Sequence, residues 1–219
     1  MDASIKHNWR GGGIRRTVIA GLAASILAGC ATTSAPRRPP PVSIEIQESV
    51  GFTITEASRI SSEDRVDYDE AVRYLARGEL GRGIELLEAV VERAPALSAP
   101  RIDLAIAEHR AGNLDAAERH LLAALDLNPN HPIALNELGI IYRKTGRFDL
   151  ARQSYEAALA IYPGFHFASR NLAVLCDLYL SDLECALSNY EAYMTMVPGD
   201  DEAAMWIADL RNRLGQPEG

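Results

Sequence analysis

The sequence predicts an all-α chain: about four helix-turn-helix hairpins stacked as an α-solenoid and closed by a C-terminal capping helix. Three observations predict it. Glycine recurs at Gly78, Gly112 and Gly146, and proline at Pro95, Pro129 and Pro163, both at a spacing of 34 residues. Between these punctuation marks apolar residues return at helical spacing, as in Leu135, Leu138 and Tyr142 followed by Ala151, Tyr155 and Ala158. Short side chains such as Ala105, Ala117 and Ala124 stand where two helix backbones must approach closely. A fixed period of this length marks a repeat architecture, in which each hairpin buries its apolar face only against its neighbours.

In chain order, the first element is basic and then apolar. Lys6, Arg10, Arg15 and Arg16 precede the apolar stretch Thr17 to Ala28, which is shorter than the about 20 residues a spanning helix needs and reads as a signal peptide over residues 1–29. Leu27-Ala28-Gly29-Cys30 is similar to a bacterial lipobox. That resemblance implies cleavage before Cys30 and its lipidation with diacylglycerol and a fatty acid such as palmitate. An ordinary cleavage site past Gly29 and an uncleaved anchor are the alternatives. Ala31 and Thr32 follow the cysteine with no retaining aspartate, so resemblance to sorted lipoproteins implies a lipid-anchored address on the periplasmic face of the outer membrane.

Residues 30–62 read as a lipidated tether and extended linker. Pro36, Pro39, Pro40 and Pro41 with Arg37 and Arg38 favour an extended chain that buries no core. From Val42 to Thr55 the pattern alternates with period two through Ile44 and Ile46, then Phe52 and Ile54, which suggests two short strands; because a lone hairpin is only marginally stable, an extended segment of weak strand character is the favoured reading. The repeat region follows over residues 63–214. Its first copy, about 64–97, carries Ala71, Tyr74 and Leu75, turns at Gly78, and continues through Ile84, Leu87, Val90 and Val91 to Pro95. The second, 98–131, and third, 132–165, repeat that skeleton. The fourth, 166–200, drifts: its turn glycine is replaced near Leu180-Ser181, and Pro198 arrives 35 residues after Pro163, so one residue has entered the turn. Asp201 to Leu214, with Ala204, Ile207, Leu210 and Leu214 at helical spacing, reads as the cap that a stack needs to avoid exposing an apolar end.

This skeleton resembles the tetratricopeptide repeat family, and the resemblance covers roughly residues 64–200. It implies a concave surface lined by the first helix of each hairpin, in which a protein or peptide segment is held. The family's groove positions fall here on Tyr68 and Val72, then Ile102, Ile106 and His109, then Asn136, Ile140 and Arg143, and finally Phe167, Arg170 and Val174. Members that grip a C-terminal carboxylate place Lys and Asn in the first groove helix, where this chain has Tyr68 and Val72.

Chemistry-bearing constellations are sparse. The formal net charge of -8 and the lack of a Lys/Arg stripe argue against nucleic acid as a partner. Cys176 and Cys185, nine apart, flank the drifted turn and could face one another; a disulfide and a pair of buried free thiols are both compatible with the spacing. Histidines at 109, 120, 131 and 166 show no metal-ligand spacing, and neither a nucleophile elbow nor a phosphate loop is present. No cofactor, metal or catalytic residue is therefore expected. The function expected is that of an envelope adaptor that holds proteins together. A pilotin-like factor for pilus or secretin assembly and an accessory of an energy-transducing system of the TonB type are alternatives. A thiol oxidoreductase is disfavoured because the cysteines lack C-x-x-C spacing.

Overall fold

The computed structural model describes residues 42–47, 51–56 and 60–215. The expected signal peptide, the lipidation site Cys30 and the proline-rich part of the tether lie outside them.

The alternating segment forms a two-stranded antiparallel ribbon, β1 (Val42–Gln47) and β2 (Gly51–Glu56), with Ile44 opposite Ile54 and Ile46 opposite Phe52. Weak strand character had been expected there. Pairing goes further, because two runs of equal phase can zip together across a short connection.

Four helical hairpins follow: α1 (Ser62–Ala76) with α2 (Leu80–Arg93), α3 (Ala99–Ala111) with α4 (Leu114–Leu127), α5 (Pro132–Lys144) with α6 (Phe148–Ile161), and α7 (His166–Leu175) with α8 (Leu183–Met196). A ninth helix, α9 (Asp201–Arg213), closes the stack. Starts and stops have local causes. Ser61 caps α1 by accepting from the Asp64 amide, and Asp200 caps α9 by accepting from the amides of Glu202 and Ala203. Gly78, Gly112 and Gly146 turn the chain at φ of 79°, 89° and 76°, a left-handed conformation that favours glycine. The same bond closes each of these turns, from the amides of Glu79, Asn113 and Arg147 to the carbonyls of Tyr74, Glu108 and Tyr142.

The fourth hairpin absorbs its extra residue in a π-helical turn, Cys176–Leu180, that continues α7. Its closing bond runs from the Asp182 amide to the Cys176 carbonyl, one residue longer than in the other three. Ser181 takes the left-handed position at φ 54° in place of glycine.

Helices pack on their sequence neighbours along the whole stack. The first helices of successive hairpins also touch, α1 with α3, α3 with α5 and α5 with α7, whereas no comparable contact joins α2 to α4 or α4 to α6. Closer first helices put the inside of the curve on their side. Alanines make the approach possible: Ala71, Ala117, Ala124, Ala134, Ala151, Ala158, Ala168, Ala173 and Ala186 are all fully buried. At the centre, Gly139 on α5 lies flat against the fully buried ring of Tyr155 on α6.

Candidate functional site: the inner face of the first helices

The inner face is built from α1, α3, α5 and α7, and the expected groove residues are distributed unevenly on it. Tyr68, Ile102 and Asn136 are buried, at 7%, 1% and 4% exposure, so the stack takes up most of their surface. Ile106, Ile140, Phe167 and Val174 pack against the core but keep part of their surface open, and His109, Arg143 and Arg170 are likewise half-buried. Val72, on the first helix, is 39% exposed. The open part of the face is therefore apolar, with cations set into it. Tyr68 also reaches across to the next hairpin, where its hydroxyl donates to Asp103.

Polar groups on this face are tied together from repeat to repeat. His109 Nδ1 lies 3.8 Å from a Glu137 carboxylate oxygen. The Asn136 amide donates to Glu137 at 3.3 Å, and the Asn171 amide donates to Asn136 Oδ1 at 2.9 Å. Two arginines continue the line, each laid over an aromatic ring. The Arg143 guanidinium is 5.7 Å from the centroid of Tyr179, and that of Arg170 is 5.5 Å from the centroid of Trp206. Such links fix the side chains that face the groove without closing it.

Glu137, Asn171, Tyr179 and Trp206 were not anticipated on this face. Asn171 meets Asn136 across 35 residues and Tyr179 meets Arg143 across 36, so neither pair sits at the 34-residue period. The only hint in the sequence was the one-residue drift of the fourth repeat.

Cys176 and Cys185 stand on the two sides of the fourth turn, their sulfurs joined 2.08 Å apart and their Cα atoms 5.9 Å apart. Asp182 sits between them: it caps α8 by accepting from the Cys185 amide at 3.1 Å and accepts from Arg152 at 2.7 Å. Hydrogen bonds from Arg152 and then from that amide hold its carboxyl below the ordinary carboxylate range. Among the described residues these three are the one group of metal-ligating side chains close together. With each sulfur bonded to the other and the carboxylate engaged, the group offers an ion no free donor set.

The histidines lie apart. His131 starts α5 and its Nδ1 accepts from the Ala134 amide at 3.4 Å, a role that requires a lone pair on that nitrogen. Burial lowers the pKa of His120 and of His166, whose ring lies 4.0 Å from that of Phe167. No described helix is long and apolar enough to cross a membrane.

Three comparisons bear on the architecture. The tetratricopeptide repeat model matches residues 102–164. The chain is 28% identical over 125 residues to the photosystem I assembly protein Ycf3 of Prochlorococcus marinus, an alignment covering 51% of this chain and 67% of that protein. It is 27% identical over 97 residues to the anaphase-promoting complex subunit CDC16 of Saccharomyces cerevisiae, covering 44% of this chain but only 12% of that much longer protein. Among solved structures, one described as a functional characterization of Pseudomonas aeruginosa pilF superposes with a TM-score of 0.64 at 19% identity, covering 70% of this chain and 69% of that one. MamA from Desulfovibrio magneticus superposes with a TM-score of 0.63 at 20% identity, covering 72% and 89%. The described helices form a tetratricopeptide-type α-solenoid of four hairpins with a capping helix.

Proposed function

From a solenoid of tetratricopeptide type we infer an interaction scaffold: the inner face of α1, α3, α5 and α7 holds an extended or helical segment of a protein partner, and the chain carries out no chemistry of its own. The observation that carries this reading is the row of half-buried apolar side chains, Ile106, Ile140, Phe167 and Val174, on the tighter side of the stack, with His109, Arg143 and Arg170 set among them. A concave apolar strip with a few convergent polar groups suits a segment whose side chains alternate into pockets.

The same reading places the scaffold in the cell envelope. Cys30, acylated after removal of residues 1–29, anchors the chain at the periplasmic face of the outer membrane, and the proline-rich tether holds the solenoid away from the lipid. The lipobox-like Leu27-Ala28-Gly29-Cys30 supports this.

A photo-crosslinking residue placed at Ile140 or Val174 in cells should capture a heterologous envelope protein, and one at Leu122 on the outer helix α4 should not. Arg143→Glu should abolish capture while leaving the far-ultraviolet spectrum unchanged. Equal capture from both faces, or capture of the chain by itself alone, would overturn the groove. For the anchor, Cys30→Ser should release the chain from the membrane fraction, and mass analysis should find acyl groups on Cys30 of the wild type. An unacylated mature terminus would remove this address.

A further inference from the structure

Several arginines in the stack are paired with carboxylates. Arg93 pairs with Asp64 and Asp67, Arg147 with Glu118, Arg152 with Asp182, Arg211 with Glu191, and Arg213 with Asp177 and Asp209. Arg143, at the C-terminal end of α5, is half-buried, and among the described residues it meets no carboxylate. Its neighbours are two tyrosines: Nη1 lies 3.5 Å from the hydroxyl of Tyr179, and the Tyr155 hydroxyl lies beside the guanidinium from the α6 side. The chain has 30 acidic residues to 22 basic ones, so this cation is not unmatched for want of anions.

Two further groups at the same place lack partners. Arg143 Nε is buried with no hydrogen-bond acceptor, and the Tyr155 hydroxyl is buried without a bond of acceptable geometry, on a residue that is 0% exposed. Leaving a buried polar group unsatisfied costs about 1–3 kcal/mol, so native structures rarely collect two around one cation unless something completes them. The Tyr179 hydroxyl keeps its own proton free to donate when it accepts from Arg143. Donors therefore converge on one spot from α5, α6 and the π-helical turn, with Ile140 one turn earlier on α5.

We propose that Arg143, Tyr155 and Tyr179 form a carboxylate-binding subsite for an Asp or Glu side chain, flanked by apolar residues, of the protein segment held in the groove. The proposal rests on the groove reading and gives that partner its chemistry. A carboxylate seated there accepts from the guanidinium and from both hydroxyls, satisfying the Nε and the Tyr155 hydroxyl together. Burial pushes the Tyr155 hydroxyl up to about 12, so it remains a donor at every physiological pH. One guanidinium balances the single charge of a carboxylate. A phosphoryl group, with about -1.5 to -2 at neutral pH, would be left underneutralised.

The test is selection of random dodecapeptides, displayed on phage, on the immobilised full chain. Selected peptides should concentrate Asp or Glu at one position beside apolar residues. A synthetic peptide of that sequence should lose roughly tenfold or more in affinity on Arg143→Gln, the order expected for a charge-assisted hydrogen-bonded contact, and a smaller factor on Tyr155→Phe, which keeps the ring and its packing. Replacing the peptide acid by its amide should cost the same factor on the wild type and nothing further on Arg143→Gln. Peptides without the acid, or an acid preference undiminished on Arg143→Gln, would overturn the subsite and leave the groove standing. Tighter binding of a phosphoserine peptide than of its acidic counterpart would overturn the carboxylate in favour of a phosphate. Failure to select any peptide would overturn the groove and the subsite together.

Discussion

Replacing Gly139 by alanine isolates the contact on which the centre of the stack depends. On an exposed helix the change would stabilise, since glycine in a helix interior costs about 1 kcal/mol relative to alanine. Here a methyl group at position 139 would lie 2.5, 2.7 and 2.9 Å from Cε1, Cδ1 and Cζ of Tyr155. That ring is fully buried and cannot turn aside as an alkyl terminus can. Overpacking of a filled core costs about 1–3 kcal/mol, and three ring atoms inside van der Waals distance call for the upper end. The net effect is a loss of about 2 kcal/mol, or a Tm lower by roughly 4–8 °C for a chain of this size. Thermal melts followed by circular dichroism, with urea unfolding as a second measure, read it directly. Gly83→Ala is the control. Its added methyl meets Leu75 Cδ2 at 2.3 Å and Cγ at 2.7 Å, but Leu75 is a flexible, half-exposed side chain in the terminal hairpin, so the change should stay within about 1 kcal/mol of zero. On a Tyr155→Val background, which has no ring to strike, Gly139→Ala should become stabilising. A higher Tm for Gly139→Ala in the wild type, or an undiminished loss on Tyr155→Val, would refute the reasoning.

Other expectations follow from single contacts. Hydrogen bonds from Arg147 hold the Glu118 carboxyl below its ordinary value of 4.5, so this pair contributes stability above the ordinary glutamate range and loses it as pH falls through the lower folded value. Arg147→Met should therefore be less stable than the wild type at neutral pH, with the difference in Tm shrinking in acid; a constant difference would show that lost packing on Tyr142 is responsible. Burial raises Tyr155 and Tyr190 to about 12 from 10.0, so the folded state keeps protons that the unfolded chain gives up, and stability should decline between pH 10 and about 12. Alkaline titration of phenolate absorbance should show both ionising late, and Tyr190→Phe should remove one of them; early ionisation of all tyrosines would contradict their burial. Opening the Cys176–Cys185 bridge by Cys185→Ser should cost about 2–3 kcal/mol through the lost constraint on the unfolded chain, and equal Tm values for oxidised and reduced wild type would contradict it.

Turn glycines and helix-stopping prolines were legible because each acts within a few residues. Gly78, Gly112 and Gly146 adopt the backbone that their spacing implied, and the one-residue insertion near Ser181 appears as the π-helical turn. The ribbon of β1 and β2 was half-legible: alternation showed the extended phase, while pairing depended on the two runs meeting in register. Groove positions were legible as helix faces but not as surface. Ile102 and Ile106 share a face one turn apart, yet the first is buried and the second partly open, because neighbouring helices cover them unequally.

By itself the sequence determined the unit: a helical hairpin, its period, its stops, and the point where the period slips. Those are local properties, set by backbone preferences and by which side chains recur at helical spacing. Tertiary structure alone decided which groove side chains stay open, that Asn171 reaches Asn136, and that Arg143 stands between Tyr155 and Tyr179 with no acid beside it. Such meetings depend on the distance and rotation between stacked hairpins. Summed packing of every buried alanine and ring sets that geometry, and no single stretch of chain encodes it.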